Sequence, residues 1–157
     1  MSFPLAYMIT WRCYGTWLHG DPRGSVDSTH NIFGTPLLAP DPQRRRRDRS
    51  FVIGGAMTLT DERRASVNQT INAHCHIRHW EPLAVNVRTN HVHTVVACGE
   101  IEPEPVLNQF KVWSTRGLRD AKLVSEEAKV WAKGGSKKYL WTKADIEAAI
   151  RYVLEAQ

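Results

Sequence analysis

The pattern of apolar and polar positions predicts a chain that mixes strands and helices. Residues 83–87 alternate strictly between apolar and small or polar side chains, which is typical of a strand with one buried face. Other segments are dense in β-branched and aromatic residues. The predicted strands are Leu5–Tyr14, 83–87, His91–Cys98 and Tyr139–Trp141, and a tight turn at Thr89–Asn90 makes a hairpin of the second and third.

Apolar residues that recur every third or fourth position predict three helices. The first is capped by Thr60 and ends near His79, and the second begins at Pro103 and ends at about Leu123. The third is capped by Thr142 and continues to the last residue. The order strand, helix, strand, strand, helix, strand, helix predicts an α+β protein. Its first six elements have the ferredoxin-like, split βαβ order, an antiparallel sheet with helices on one face, and the C-terminal helix follows.

Residues 19–55 interrupt this pattern with proline, glycine, aspartate, serine and the run Arg44-Arg45-Arg46-Arg47. The segment is too long for a simple connection, so we expect a loop insertion within a single domain, 1–157. No apolar run approaches the roughly 20 residues that cross a bilayer, and the first residues lack the features of a secretion signal. We therefore expect a cytoplasmic protein without a membrane segment.

Composition narrows the class of partner and the redox chemistry. With 42% hydrophobic and 24% charged residues the chain has a globular composition, and its net charge of +5 favours a polyanionic partner. The three cysteines, Cys13, Cys75 and Cys98, are odd in number and lack CxxC spacing. We expect buried free thiols.

The segment His91-Val92-His93 carries the clearest chemical signal. Residues i and i+2 of a strand point to the same face, so both imidazoles project together and supply half of a divalent-metal site. A histidine-triad nucleotidyl hydrolase would need a third histidine where Val95 stands. A zinc site built from His74, Cys75, His76 and His79 is weak, because side chains on one helix do not converge.

The C-terminal helix offers a candidate nucleophile. Ile146, Ile150 and Val153 form its core-facing stripe, and Tyr152 falls beside that stripe. An amphipathic tyrosine at the edge of a core is the alternative interpretation. A phenol is a weak nucleophile near neutral pH, and a metal ion that neutralises a phosphate would supply what it lacks.

Taken together, these motifs resemble those of the IS200/IS605-like, single-tyrosine HUH transposases, a family that includes REP-associated members. The order and spacing of the motifs match through nearly the whole chain outside 19–55. A REP-type Tyr-x-His-x-Asn-Pro signature is absent, which favours the insertion-sequence branch. The matching pieces are Tyr7–Trp11, His91–His93, Phe110–Arg116, Trp131, Lys137–Trp141, Arg151–Val153 and Gln157.

The resemblance implies a metal-dependent single-strand DNA transposase and nuclease. His91 and His93 would bind Mg²⁺ or Mn²⁺, and Tyr152 would attack the scissile phosphate to leave a 5′-phosphotyrosine link. Such enzymes recognise hairpins at element ends, and the insertion-sequence branch implies a homodimer. The family places a third, polar ligand four residues after the tyrosine, where this chain has Ala156. Gln157 is the preferred third ligand on resemblance, with Glu155 as the alternative that helix geometry favours.

Basic residues are the candidate DNA contacts. The arginine run in the insertion creates a strong local potential, and further basic residues lie on the first strand and the second helix. The candidates are Arg12, Arg44, Arg45, Arg46, Arg47, Lys111 and Arg116.

Two other functions stay open at this stage. The first is a catalytically decayed or domesticated DNA-hairpin-binding protein, which the altered third-ligand position supports. The second is a metal-dependent phosphohydrolase that uses the histidines without a covalent tyrosine.

Overall fold

The computed structural model describes residues 2–16 and 56–155. These residues confirm the predicted α+β class, with a four-stranded antiparallel sheet and three helices. The predicted insertion at 19–55 lies outside the described residues. In chain order the elements are β1 (Ala6–Arg12), α1 (Asp61–Arg78), β2 (Glu81–Val87), β3 (His91–Ala97), α2 (Pro103–Asp120), β4 (Ser136–Leu140) and α3 (Lys143–Glu155).

The sheet has the strand order β2-β3-β1-β4, and each pair of neighbours is antiparallel. Strands β3 and β1 are therefore central. Their register sets Trp11 opposite Val92 and Thr10 opposite His93. Because side chains alternate along a strand, opposed residues in this register point to the same side of the sheet.

The larger hydrophobic core lies on one side of the sheet, here called the α1/α2 face. Tyr7, Ile9 and Trp11 of β1 project into it and are almost completely buried. The Trp11 ring stacks on Phe110 of α2, with ring centroids 5.8 Å apart. This packing explains why the first strand contains so many aromatic and β-branched residues, since these three side chains are buried in the same core as residues of α1 and α2.

A smaller core lies on the opposite side, here called the α3 face. The alternate residues of β1 and β3 point toward it, and α3 covers them with its apolar stripe. The buried members are Ala6, Ala84, Val95, Leu140, Ala149 and Val153, with Ile146 and Ile150 partly buried against them. The sheet is thus sandwiched, with two helices on one face and the C-terminal helix on the other.

The helix ends follow from identifiable caps. The Thr60 hydroxyl accepts a hydrogen bond from the Arg63 backbone N–H, which confirms the predicted start of α1. His79 takes a left-handed conformation with φ of 60° and ends that helix. The predicted end of α2 near Leu123 was three residues too late. Lys122 has φ of 59°, and the Leu123 N–H bonds back to the Leu118 carbonyl, which closes the helix after Asp120.

The predicted position of β4 also needs correction. The strand covers Ser136–Leu140 and not Tyr139–Trp141. Polar residues at its start, among them Lys137 and Lys138, have low strand propensity, but β4 is an edge strand whose outer side faces solvent. In the parts of the chain that the structure describes, no helix has the length and apolar character needed to span a bilayer.

Candidate active site

The register of the central strands assembles polar side chains in rows on the α3 face. Thr10 of β1 lies opposite His93 of β3, and Arg12 lies opposite His91. On the other flank of β3, Asn86 of β2 pairs with His93. The two histidines therefore lie on a central strand, with polar neighbours on both adjacent strands.

The three residues singled out from the sequence lie next to one another. The His91 and His93 ring centroids are 4.6 Å apart with the ring planes nearly perpendicular. The His93 and Tyr152 centroids are 5.7 Å apart, again edge to face. His93 is 7% exposed, whereas Tyr152 is 58% exposed. The phenol is therefore reachable from solvent while one side of its ring contacts a buried imidazole.

Each imidazole is held through its Nδ1 atom by a side-chain oxygen. The His91 Nδ1 lies 2.7 Å from the Asn90 carbonyl oxygen Oδ1, and so donates to it. The His93 Nδ1 lies 2.9 Å from the Thr10 hydroxyl oxygen. The Asn90 oxygen can only accept, so the His91 proton is on Nδ1 and its Nε2 carries a lone pair. The Thr10 hydroxyl can donate or accept, and the Nε2 of His93 carries the lone pair in the tautomer whose Nδ1 donates to that hydroxyl. A hydrogen bond to one nitrogen that fixes the tautomer of the other is the usual arrangement for a metal-binding histidine.

The surroundings keep both rings neutral near pH 7. Burial, together with the charges of His93, Arg12 and Arg88, lowers the pKa of His91 to about 4. Burial and the same two arginines also lower the pKa of His93. A neutral imidazole is the form that coordinates a metal ion, because protonation removes the lone pair.

Hydrogen bonds fix both ends of helix α3. At its start the Thr142 hydroxyl accepts from the Asp145 N–H at 3.0 Å, and Asp145 accepts in return from the Thr142 N–H at 3.3 Å. Near its end the Asn86 side-chain amide donates to the Val153 carbonyl at 2.8 Å. Val153 follows Tyr152 directly, so this bond holds the turn that presents the phenol against His93.

Within residues 2–16 and 56–155, no group of three histidine, cysteine or acidic side chains could hold a metal ion. Glu155, the geometric alternative, is exposed on α3 and joins no such group. Gln157, the preferred ligand, lies outside the described residues.

The weaker zinc cluster on α1 does not form within the described residues either. His74 is buried, and its Nε2 bonds to Gln109 at 2.7 Å. Its imidazole stacks on Trp113, with ring centroids 5.8 Å apart. This histidine therefore belongs to the packing between α1 and α2.

The predicted DNA contacts are dispersed. Arg12 adjoins the histidines, whereas Lys111 lies on α2 and its ammonium donates to the Ala132 and Gly134 carbonyls at 2.9 and 2.5 Å. Those two bonds give Lys111 a structural task in holding the loop before β4. Arg116 is exposed, with its guanidinium 5.0 Å from the Trp113 ring centroid. The predicted contacts Arg44, Arg45, Arg46 and Arg47 lie outside the described residues.

Four neighbours of the histidines were not predicted from the sequence: Thr10, Asn86, Arg88 and Asn90. Thr10 and Asn86 are polar positions in alternating strands, which indicates a solvent-facing side chain when each strand is considered alone. Only the pairing of β1 and β2 with β3 reveals that they flank His93. Asn90 could have been predicted as a partner of His91, because it directly precedes the His91-Val92-His93 segment.

A comparison with models of known protein families finds no match for this chain, and a comparison with curated protein sequences finds none either.

Proposed function

We propose that the protein is a metal-dependent transposase and nuclease acting on single-stranded DNA, with Tyr152 as nucleophile. The observation that carries the proposal is the contact series from Tyr152 to His93 to His91 on one face of the sheet. A phenol, two neutral imidazoles with free Nε2 atoms and nearby guanidinium groups are the parts that phosphoryl transfer to a tyrosine requires.

The topology supports the same assignment. Strand order β2-β3-β1-β4 with all neighbours antiparallel is the order of a split βαβ, ferredoxin-like sheet, as we infer for this chain. The added helix α3 brings the tyrosine to the face opposite α1 and α2. The resemblance to single-tyrosine HUH transposases leads us to expect a C-terminal helix that carries the tyrosine.

The histidine pair fits a divalent cation, since both rings are held through Nδ1 and can present Nε2 to an ion. His91 and His93 would hold Mg²⁺ or Mn²⁺, and Gln157 is the proposed third ligand. When bound, the ion neutralises charge on the scissile phosphate and so favours attack by an oxygen nucleophile.

The covalent step belongs to Tyr152. Its phenolic oxygen forms a bond to phosphorus, and the bond from phosphorus to the 3′-oxygen of the preceding nucleotide breaks. The phenol loses its proton and the departing 3′-oxygen takes one up, so no net proton is consumed. The product is a 5′-phosphotyrosine link and a free 3′-OH. A different 3′-OH can reverse the step, and this joins new ends without an external energy source.

The partners are proposed from the resemblance and from the charge of the chain. We propose single-stranded DNA with hairpin ends as substrate, a homodimer as the working assembly and the cytoplasm as the compartment. The net charge of +5 supports a polyanionic substrate.

An adduct assay tests the proposal. The protein is incubated with 5′- and 3′-labelled single-stranded hairpin DNA and Mn²⁺, and products are separated on a denaturing gel. We expect a protein adduct on the fragment downstream of the cut, abolished in Tyr152→Phe and reduced at least ~100-fold in His93→Ala. Tyr139→Phe is the matched control, because this tyrosine is exposed on β4 and away from the histidines. Adduct formation that persists in Tyr152→Phe would refute the proposal.

A second candidate function is a DNA-hairpin-binding protein that has lost strand transfer. It is favoured by one observation, that Ala156 stands where the family places its third metal ligand. In the same assay this candidate predicts a complex on a native gel and no adduct on the denaturing gel. Cleavage that survives Tyr152→Phe would instead indicate a metal-dependent phosphohydrolase.

A further inference from the structure

A row of three side chains crosses the α3 face at the end of the sheet where strand β2 turns into β3. His91 of β3 stands in the middle. Arg12 of β1 is its register partner on one side. On the other side the Arg88 N–H donates to the His91 carbonyl at 2.8 Å, which pairs these two residues across the β2–β3 hairpin. Directly opposed residues of neighbouring strands have β-carbons about 5 Å apart.

Alternation along the strands gives both arginines the same orientation as the histidines. On β2, Ala84 packs in the α3-face core and Asn86 bonds to α3, so Arg88 is the next residue on that side. On β1, Met8 and Thr10 precede Arg12 in the same way. Arg88, His91 and Arg12 therefore form a row on the α3 face that is two residues along the strands from the row of Asn86, His93 and Thr10.

The charged groups of this row are partly withdrawn from water. Arg12, Arg88 and His91 are all half-buried. Positive charge that is partly withdrawn from water interacts more strongly with an anion than the same charge on an open surface.

We propose that Arg88 and Arg12 form a phosphate-binding site that spans His91, each guanidinium donating to oxygens of one phosphate group. The inference rests on the proposed function only for the identity of that phosphate, which is a phosphodiester of single-stranded DNA. Arginine suits the task because its planar fork matches two phosphate oxygens at once. The site would hold the strand so that its scissile phosphate faces Tyr152.

The test separates phosphate binding from covalent chemistry. Binding of a fluorescent single-stranded oligonucleotide is measured by anisotropy as a function of salt, in EDTA, with Tyr152→Phe protein so that no adduct forms. Arg88→Gln added to this background is expected to weaken binding about 5- to 10-fold and to reduce the salt slope by about one. Arg12→Gln should behave in the same way, so the result does not depend on one variant folding.

The matched control is Arg78→Gln. Arg78 is an exposed arginine in the last turn of α1, on the other side of the sheet, and its loss removes the same charge. We expect Arg78→Gln to leave the affinity within about 2-fold of the background protein. Equal weakening by the three arginine variants, or no weakening by Arg88→Gln and Arg12→Gln, would overturn the inference.

Inorganic phosphate provides the measurement that does not depend on DNA. Titrated into the metal-free wild-type protein, it is expected to shift the imidazole NMR signals of His91, and the shift should disappear in Arg88→Gln and persist in Arg78→Gln. No shift in the wild-type protein would overturn the inference. A selective shift without any Tyr152 adduct in the gel assay would uphold the phosphate site and refute the proposed transposase.

Discussion

At the scale of single residues, the site depends on oxygen atoms that hold the imidazoles from behind. The Asn90 amide oxygen and the Thr10 hydroxyl engage Nδ1 of His91 and His93, and burial keeps both rings uncharged. Metal affinity at such a site depends on these supporting bonds as well as on the ligands, because a free ring would have to be oriented at each binding event.

Replacing the supporting hydroxyl tests that dependence. Thr10→Val keeps the shape of the side chain and removes the oxygen that engages His93. We expect Mn²⁺ affinity to fall about 10-fold or more, measured by electron paramagnetic resonance of the free ion. Thr94→Val is the control, since the Thr94 hydroxyl donates to the Ile9 carbonyl and strand alternation places it on the α1/α2 face, opposite the histidines. A Thr10→Val protein with unchanged affinity would contradict the supporting role.

The cysteines give a pH-dependent prediction. All three are free and buried, as expected from their number and spacing. Burial raises the pKa of Cys13 and of Cys75 to about 12, and that of Cys98 to about 11. In the unfolded chain a thiol ionises at about pH 9. The part of the free energy of unfolding that comes from keeping these thiols neutral is therefore fully present below that pH, and it is lost as the pH rises toward about 11–12.

Two measurements check this prediction. Ellman's reagent at about pH 8 should leave the native thiols unmodified and modify all three after unfolding in urea. Urea midpoints should fall as pH rises from about 9. Rapid modification of the native protein, or a midpoint that rises with pH in this range, would show that the thiols are not held in the core.

The residues that meet at the candidate site were easier to predict from the sequence than the residues that support them. His91 and His93 follow from strand alternation, and Tyr152 from its place beside the apolar stripe of α3 together with the family resemblance. Asn86, Thr10 and Arg88 could not be predicted, because their proximity to the histidines arises from strand register, which is set by the whole sheet and not by local pattern.

At the scale of elements, helix α3 decides whether a tyrosine faces the histidines. It is 13 residues long, short enough to be marginal by itself, and it depends on packing and end contacts for its position. The Thr142–Asp145 cap fixes one end, and the Asn86 bond to the Val153 carbonyl fixes the other. The second contact lies within one residue of Tyr152.

Removing the Asn86 amide tests this positioning. Asn86→Ala is expected to lower the free energy of unfolding by about 1 kcal/mol and to speed hydrogen exchange in the last turn of α3. The rate of adduct formation should fall while Mn²⁺ affinity stays unchanged. Asn72→Ala is the control, because this exposed asparagine bonds within α1 to Asn68. Loss of Mn²⁺ affinity together with the rate would point to a general structural defect.

Element boundaries show where sequence reasoning reaches its limit. The start of α1 followed from Thr60 because a cap is a local interaction. The end of α2 and the extent of β4 did not, because Lys122 takes a left-handed conformation and β4 is defined by pairing with β1. The spacing of apolar residues does not specify the backbone conformation of Lys122, and it does not specify which strand β4 pairs with.

At the scale of the whole molecule, the two faces of the sheet hold different groups of residues. The α1/α2 face holds the larger core, with Trp11 and Phe110 at its centre, and the α3 face combines a small core with the histidines. Strand β3 serves both faces, since Val92 and Val96 are buried on one side and His91 and His93 lie on the other. The candidate site therefore rests on a central strand that is packed on both sides, as the proposed phosphoryl transfer would require.

The central claim is that His91, His93 and Tyr152 act as one site with the phenol as nucleophile. Its most direct test is mass spectrometry of protein treated with single-stranded hairpin DNA and Mn²⁺, then with nuclease and trypsin. Cleavage after Arg151 releases a peptide that begins at Tyr152 and contains no other tyrosine. The account predicts a residual nucleotide phosphate on Tyr152, absent when His91 and His93 are both replaced by alanine. A nucleotide on any other residue, or cleaved DNA without modified Tyr152, would contradict it.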